Sequence, residues 1–217
     1  MTSHKKETPA IDPKIRILVA EDHLIARIGV IAILGMQPDM TVVAEAVNGQ
    51  MALEKFRAER PDVALLDMRM PVMSGIEAAL AIRAEFPNAR LIALSTYGGD
   101  EDIRRALDAG MQSYLTKDVL RDELLKAIRS VHAGRKYLPA ALAATLAQQT
   151  PSPHLSAREV EVLRLIVSGL ANKQIAHQLN IAETTAKNHV KSILSKLGVE
   201  HRTQAATAAI HRGIIHL

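Results

Sequence analysis

Residues 65–75 read LLDMRMPVMSG and contain a strand end next to a helix start. The aliphatic run at residues 63–66 is apolar on both faces, which is typical of a strand in a covered parallel sheet. Asp67 follows this run directly. Ser74 and Glu77 have the spacing of a capping box, which marks the first turn of a helix. The stretch therefore predicts a strand followed by a helix, with a carboxylate where the strand ends.

The same alternation of aliphatic runs and helical stretches extends in both directions from this unit. After the first run, apolar residues recur at intervals of three or four, the spacing of an amphipathic helix: Leu24, Ile28, Ile31 and Leu34. Five such repeats predict an α/β fold built on a five-stranded, doubly wound parallel sheet. The predicted strands are residues 15–20, 41–46, 63–66, 91–94 and 113–115.

The composition excludes several classes of site. The 217-residue chain has no cysteine, which excludes disulfides, cysteine zinc sites, thiol nucleophiles and iron–sulfur clusters. Its 48% of hydrophobic residues can bury a core, which argues against wholesale disorder. Three Tyr and two Phe offer few rings on which single-stranded nucleic acid could stack. Residues 1–14 are polar and no apolar run approaches membrane-spanning length, so we expect a soluble, cytoplasmic protein with no membrane partner.

Charge is distributed unevenly along the chain and indicates where one domain ends. Residues 1–150 carry 19 basic and 19 acidic side chains, whereas residues 151–217 carry 8 basic and 4 acidic ones. Pro151 and Pro153 favour an extended linker, and the Ala/Leu-rich residues 140–147 before them favour a linker helix. We predict a polar tail at residues 1–14, an α/β domain at 15–134, a partly helical linker at 135–154 and a basic helical domain at 155–217.

Chemically active side chains follow four of the predicted strands. Ligands of doubly wound sheets bind beyond the carboxyl ends of the strands, where this chain has Glu21, Asp22, Asp67, Ser95 and Lys117. Three carboxylates repel each other unless a hard cation such as Mg²⁺ compensates their charge. A hydroxyl and an amine suit the oxygens of a phosphoryl group, so the set predicts phosphoryl transfer, for which a carboxylate can be the acceptor. Because loops are generally polar, any one of these residues could follow a strand without a function. Their combination, however, favours a phosphoryl-transfer site.

Residues 155–217 show helical patterns only and predict a small all-α domain of four helices. Ser156 and Glu159 have the spacing of a second capping box, which opens the first helix of this domain. A brief turn separates the short second helix from the third. The four predicted helices cover residues 156–169, 172–179, 183–197 and about 203–211.

The third of these helices has an apolar face and a polar face that we expect to contain no acid. At about 100° per residue, the polar face gathers two lysines, an amide and several hydroxyls: Thr184, Lys187, Asn188, Lys191, Ser192 and Ser195. A helix that packs on its domain and enters the DNA major groove needs these two faces. A solvated face with ordinary lysines explains the same pattern. The short helix and turn before it, with the local positive charge, favour DNA reading.

Residues 65–75 resemble the phosphoacceptor loop of the receiver domains of two-component response regulators. The resemblance implies a flavodoxin-like fold in which Asp67 accepts a phosphoryl group from a sensor histidine kinase. It also implies autodephosphorylation without turnover of a separate substrate. By the same resemblance, Glu21 and Asp22 hold Mg²⁺ together with Asp67 and the backbone carbonyl of Arg69.

The family resemblance also implies roles for residues at the ends of the fourth and fifth strands. Ser95 would hydrogen-bond the phosphoryl oxygens, and Lys117 would pair with the phosphoryl charge. Tyr114 matches the aromatic switch of the family, which swings inward as Ser95 moves. The chain departs from the common pattern at Asp118, where many receivers have proline, and at Thr96, where a smaller residue is common.

Three segments of the basic domain resemble the LuxR-type helix-turn-helix: LSAREVEVL at residues 155–163, GLANKQIA at 169–176 and TAKNHV at 185–190. Together with the receiver, they make the chain resemble the NarL/FixJ subfamily of response regulators. This resemblance implies contacts of three residues with bases and of three others with phosphates: Lys187, Asn188 and Lys191, then Lys173, Thr184 and His189. The fourth helix would be the dimer contact on promoter DNA. Ala186, where valine is usual, is a departure.

The sequence thus predicts a phosphorylation-gated transcription regulator, against two alternatives. A phosphatase of the haloacid dehalogenase kind needs a second acid two residues after Asp67, where this chain has Arg69. A phosphorylation-independent DNA-binding protein would not need the complete set of strand-end residues. The histidines show no metal-ligand spacing. His23, directly after Asp22, either lines the phosphorylation pocket or starts a surface helix, and the second role is favoured.

Overall fold

The computed structural model describes residues 14–118, 121–148 and 155–215. Most of the predicted tail, residues 1–13, lies outside the described residues, as do Pro151 and Pro153 of the predicted linker. Within the described ranges, no helix has both the length and the apolar character to cross a membrane.

A five-stranded sheet forms the centre of the first part of the chain, and the predicted fold class is confirmed. The strand order is β2-β1-β3-β4-β5, and β1 pairs in parallel with β2 and β3, as β3 does with β4. The strands are β1 (Ile15–Ala20), β2 (Met40–Ala46), β3 (Val63–Asp67), β4 (Leu91–Ser95) and β5 (Ser113–Thr116). Because the strand order reverses between β1 and β3, their carboxyl ends form a crevice.

Five helices alternate with these strands: α1 (Leu24–Gly35), α2 (Gly49–Glu59), α3 (Gly75–Glu85), α4 (Asp100–Asp108) and α5 (Arg121–His132). The predicted apolar stripe of α1 is only partly buried, because Leu34 is fully buried whereas Leu24 and Ile28 are 57% and 54% exposed. Since α1 is apolar around most of its circumference, its spacing could not identify the side that faces the sheet.

The loop after β3 is fixed by a capping box and by a glycine. Ser74 Oγ accepts from the Glu77 N–H at 3.3 Å, and the Ser74 N–H donates to Glu77 Oε2 at 2.8 Å, which confirms the predicted cap. A Cβ at Gly75 would lie 2.2 Å from the backbone oxygen of Asp67. The helix therefore starts in direct contact with the strand end, and only glycine fits there.

The chain separates into two compact units. The first contains the residues up to Leu94 with Ala109–Ser113 and Lys117–Tyr137, and the second contains Ser95–Asp108, Tyr114–Thr116 and the residues from Leu138 onward. The second unit includes the five helices α6 (Ala140–Gln148), α7 (Ala157–Val167), α8 (Asn172–Gln178), α9 (Glu183–Leu197) and α10 (Arg202–His211). Its α4 and α10 are joined by an ion pair between Asp100 and Arg212, with Nη2 3.0 Å from Oδ2.

The helices α7 to α10 enclose a small aliphatic core. Fully or almost fully buried side chains come from every one of these helices: Val162, Leu163, Ile166, Ile175, Ala176, Ala186, Ile193, Ala205 and Ala209. Gly198, with φ +68°, ends α9 in the left-handed region, at the position that the sequence predicts.

Glu159 connects the start of α7 to the second half of α9. Its carboxylate completes the predicted capping box with Ser156, and it also accepts from Ser192 Oγ and from Lys196 Nζ, each at 2.7 Å. Burial alone would raise the pKa of Glu159, but the hydrogen bonds from Lys196, Ser192 and Ser156 outweigh it and lower the pKa to about 2. The orientation of α9 is therefore fixed by a buried, ionised carboxylate.

We expect Glu159→Gln to destabilise the second unit at pH 7. A folded-state pKa of about 2 against an ordinary value of 4.5 means that stability is present above pH 4.5 and is lost as the pH falls toward 2. The shift corresponds to roughly 3 kcal/mol of the free energy of unfolding. Chemical denaturation of wild type and variant at pH 7 and pH 3 measures the loss and its decrease in acid.

Glu161→Gln is the matched control for this substitution. Glu161 lies on the same helix and pairs with Arg158, but its side chain is 50% exposed, so its removal should change stability little. Equal midpoints for wild type and Glu159→Gln at pH 7 would contradict the structural role of Glu159.

Candidate functional site

Two buried carboxylates lie side by side at the crevice between β1 and β3. Ala20 is the register partner of Leu66, so Glu21 and Asp67 follow at the same level of neighbouring strands. Glu21 is 1% exposed and Asp67 is 2% exposed. Asp22, the next residue, is partly exposed at the rim of the same crevice. The topology thus brings the three predicted acids together.

Lys117 joins the two buried carboxylates from the end of β5. Its Nζ lies 2.9 Å from Asp67 Oδ2 and donates to Glu21 Oε1 at 2.9 Å. Burial would lower the pKa of Lys117, but the hydrogen bonds to Glu21 and Asp67 outweigh it and raise the pKa. The lysine is therefore charged and compensates part of the negative charge of the crevice.

Asp67 combines burial with hydrogen bonds to both of its oxygens. Oδ2 accepts from Lys117, and Oδ1 accepts from the backbone N–H of Arg69 at 3.2 Å. Burial raises the pKa of Asp67 to about 6, against the lowering effect of the hydrogen bonds from Lys117 and Arg69. At pH 7 most of the population carries an ionised Asp67, whose desolvated oxygens can act as a nucleophile.

The predicted switch residues both contact the backbone of Tyr97. Ser95 ends β4, one position beyond Leu94, which is the register partner of Asp67. Ser95 Oγ accepts from the Tyr97 N–H at 3.2 Å, and the Tyr114 hydroxyl donates to the Tyr97 carbonyl at 2.7 Å. Tyr114 is fully buried. Movement of the segment at Tyr97 therefore affects both side chains, a coupling that the sequence did not reveal.

The acidic crevice has the donor set of a divalent cation site. Among the described residues, Glu21, Asp22, His23 and Asp67 each offer a ligand atom, and these atoms lie within 4.8 Å of one another. Carboxylate oxygens are the donors that Mg²⁺ prefers, so the predicted oxygen ligands fit this ion. His23 belongs to the same cluster, and it also occupies the N-cap position of α1 with an exposed side chain, which confirms the favoured prediction of a surface helix start.

The residues predicted to contact DNA lie on α8 and α9. Lys173 on α8 is exposed, as are Thr184, Lys187, Asn188 and Lys191 on α9, whereas His189 is half-buried. The opposite face of α9 packs into the domain through Ala186 and Ile193, which are fully buried. An exposed polar face and a buried apolar face thus occur on one helix, as the sequence predicts.

Two features of α9 differ from the sequence prediction. The prediction of a polar face without acid is wrong in the first turn, where Glu183 Oε1 lies 2.9 Å from Lys187 Nζ. Ser192, expected on the polar face, donates its hydroxyl to the buried Glu159. Helical spacing places Glu183 four residues before Lys187, where opposite charges pair, and Ser192 lies at the edge of the polar arc within reach of α7.

Comparison with known families gives two matches that together cover most of the chain. Residues 17–129 match the response regulator receiver domain, and residues 153–209 match the LuxR family of bacterial regulatory proteins.

Similar proteins share both parts. The transcriptional regulatory protein LnrK of Bacillus subtilis is 37% identical over 92% of this chain and 98% of its own length. The transcriptional activator DevR/DosR of Mycobacterium tuberculosis is 38% identical over 90% of this chain and 94% of its own length. A structure of RcsB from Salmonella enterica bound to a promoter in the presence of the phosphomimetic BeF₃⁻ is 26% identical, covers 90% of this chain and 97% of its own, and has a TM-score of 0.70.

We expect Asp67→Asn to stabilise the metal-free protein in a pH-dependent way. The folded-state pKa of about 6 lies above the ordinary value of 3.8. The stability that Asp67 contributes is therefore present below pH 3.8 and is lost as the pH rises through about 6. Since asparagine does not ionise, the variant should gain up to about 3 kcal/mol over wild type between pH 4 and pH 8. Thermal denaturation in the presence of EDTA measures this difference.

Asp39→Asn is the control, because we expect its stability relative to wild type to change with pH in the opposite direction. The Arg129 side chain lowers the pKa of Asp39, and Asp39 lies before β2, at the amino ends of the strands. Asparagine at this position should lose stability relative to wild type as the pH rises. A difference between Asp67→Asn and wild type that stays constant from pH 5 to pH 8 would contradict the raised pKa.

Proposed function

The chain belongs to the response regulators that join a receiver domain to a LuxR-type DNA-binding domain, and we propose that phosphorylation of Asp67 controls its binding to promoters. The observation that carries this proposal is the contact of Lys117 with both Asp67 and Glu21 in a buried acidic crevice. It keeps a desolvated carboxylate ionised next to a cation and to further carboxylates, which is the arrangement that phosphoryl transfer requires.

The proposed transfer step uses Asp67 as the nucleophile. A carboxylate oxygen of Asp67 attacks the phosphorus of a phosphohistidine on a sensor kinase, the P–N bond breaks, and the imidazole leaves with the electron pair. Lys117 and the Arg69 N–H hold the carboxylate in place during the attack. Glu21, Asp22, Asp67 and the carbonyl of Arg69 would hold Mg²⁺, which when bound compensates the charge of the phosphoryl oxygens.

Phosphorylation adds negative charge next to Lys117 and offers new acceptors for hydrogen bonds. By the family resemblance, Ser95 would turn toward the phosphoryl group, and this movement would break its contact with the Tyr97 N–H. Tyr114 holds the carbonyl of the same residue, so both switch residues respond together. Two consequences are open: release of the DNA-binding domain or formation of a receiver dimer. Coupling of this kind is typically about 1–3 kcal/mol.

The DNA-binding surface lies on α9 with a contribution from α8. Lys187, Asn188 and Lys191 would face bases, whereas Lys173, Thr184 and His189 would contact phosphates. A solved structure of the similar protein RcsB contains two dimers bound to two parallel DNAs, which supports a homodimer that reads two half-sites about one helical turn apart. The phosphoryl group would be lost by autodephosphorylation, with no separate substrate turned over, and the chain would act in the cytoplasm.

Asp67→Asn should abolish phosphorylation-dependent DNA binding. Acetyl phosphate with Mg²⁺ should raise the affinity of the wild-type protein for a DNA fragment selected with the phosphorylated form by about 5- to 150-fold. The asparagine variant lacks the nucleophilic oxygen, so its affinity should not change. Fluorescence anisotropy with labelled DNA measures both affinities, and Asp39→Asn is the control. Undiminished stimulation of the Asp67→Asn variant would refute the assignment.

Lys187→Ala should weaken specific DNA binding by about tenfold or more, because a base contact in the major groove contributes about 1–3 kcal/mol. Its phosphorylation should be unchanged. Arg164→Ala, an exposed cation on α7 of the same domain, is the matched control for the loss of one charge. Footprinting of both variants on the selected fragment separates the loss of a base contact from the loss of one positive charge. A normal footprint for Lys187→Ala would exclude α9 as the helix that reads the bases.

A further inference from the structure

Val72, in the loop between Asp67 and α3, has a strained backbone. Its φ is +68°, in the left-handed region that a β-branched residue rarely adopts. The Met73 N–H donates to the Pro71 carbonyl at 2.7 Å, so Val72 is the central residue of a three-residue turn. A γ-turn with a positive φ at its centre is rare and strained. Glycine would adopt the same conformation without this strain.

The strain at Val72 differs from that at the other residues with a positive φ. Within the ranges that the structure describes, three residues other than glycine have a positive φ, and Val72 is the β-branched one. Arg60 is the left-handed C-cap of α2, and Asn180 is of a residue type that tolerates this region. Strained residues persist where the surrounding structure fixes them, and they cluster at functional sites. Val72 is therefore a candidate for a functional role.

Hydrogen bonds on both sides of Val72 hold the turn. The Met68 N–H donates to the Leu94 carbonyl at 2.8 Å, and the Gly49 N–H donates to the Met73 carbonyl at 2.9 Å. A Cβ at Gly49 would lie 2.5 Å from this Met73 oxygen, so the two backbones are in close contact. The loop is thus anchored to β4 before the turn and to the start of α2 after it.

The turn exposes an apolar side chain to solvent. Val72 is 85% exposed, so burial in the core does not offset its strain. Leu24 and Ile25, at the start of α1, are exposed as well. Because β1 and β3 are parallel, the segments that follow them lie at the same edge of the sheet, where Asp67 ends β3. Apolar side chains that are exposed together at one edge are typical of an interaction site.

The charge of the crevice gives a reason for apolar contacts at this edge. The carboxylates of Glu21, Asp22 and Asp67 outnumber the single ammonium of Lys117, whereas a phosphodonor is itself anionic. Attraction between opposite charges therefore contributes little to the affinity of the crevice for a donor. A donor that carries its phosphoryl group on a protein gains affinity from burial of apolar side chains around the crevice, which a small donor does not bury.

We propose that the strained γ-turn presents Val72 as an apolar contact for the phosphodonor protein, so that this residue favours a protein donor over a small phosphodonor. The inference rests on the proposed function, since the donor delivers its phosphoryl group to Asp67. Val72 lies five residues after Asp67 and takes no part in the transfer step. It contributes to the docking of the donor, and the strain of the turn is retained for this recognition.

The first measurement tests the strain in the full-length protein. Val72→Ala and Val72→Gly both remove the two methyl groups of the side chain, but only glycine relieves the positive φ. We expect chemical denaturation to give a higher midpoint for Val72→Gly than for Val72→Ala. Equal midpoints, or a higher midpoint for Val72→Ala, would show that the turn is unstrained and would overturn the proposal.

The second measurement compares two donors that both carry the phosphoryl group on nitrogen. One is phosphoramidate, and the other is the autophosphorylated sensor histidine kinase that phosphorylates the wild-type protein fastest among those of the same genome. We expect Val72→Ala to lower kcat/KM for transfer from the kinase by about tenfold, and the rate with phosphoramidate by less than twofold. Val72→Ile keeps an apolar side chain and should behave as wild type. Leu80→Ala, an exposed apolar residue of α3, should change neither rate.

The two donors and Asp67→Asn separate failure of this inference from failure of the proposed function. A loss of rate in Val72→Ala that is equal for both donors, or an unchanged rate with the kinase, would overturn the role of Val72 and leave the phosphorylation site intact. Phosphorylation of Asp67→Asn at the wild-type rate would overturn the proposed function and this inference with it.

Discussion

The ion pairs of Lys117 with Asp67 and Glu21 are the constraint on which the receiver depends. Two carboxylates that are almost fully buried on neighbouring strands repel each other and lose their hydration. One ammonium between them, within 3 Å of each, compensates part of this charge. That compensation is incomplete, so the crevice keeps an excess of negative charge.

The position of this lysine depends in turn on the order of the strands. Lys117 comes 50 residues after Asp67 and 96 after Glu21, so only a sheet in which β1, β3 and β5 run parallel brings the three side chains to one edge. Gly75 belongs to the same constraint, because α3 must start against the backbone of Asp67 and leaves no room for a Cβ. The backbone of Asp67 is therefore in close contact with the start of α3.

The sequence predicted those features that are local or that repeat with a period. The strands, both capping boxes and the strand-end acids follow from adjacent residues, and the structure contains them. The buried side of α1 did not follow, because Leu24 and Ile28 have the same spacing as Leu34 yet remain exposed. The contact of Ser192 with Glu159 did not follow either, because the two residues are 33 positions apart on different helices and meet only through the packing of these helices. The contact that Ser95 and Tyr114 both make with Tyr97 also depends on tertiary packing, so the sequence did not predict it.

Asp67 and Glu159 are both buried carboxylates, yet their surroundings shift their pKa values in opposite directions. Glu159 has its own lysine, a hydroxyl from α9 and the helix cap, and these outweigh burial so that its pKa falls to about 2. Asp67 must share Lys117 with Glu21 and receives one backbone N–H, so burial prevails and its pKa rises to about 6. A fully satisfied carboxylate is a weak nucleophile and a good cross-link, whereas a partly satisfied one retains an oxygen with affinity for a cation or for phosphorus. The number of donors around each acid, rather than its burial, therefore sets the direction of its pKa shift, upward for Asp67 and downward for Glu159.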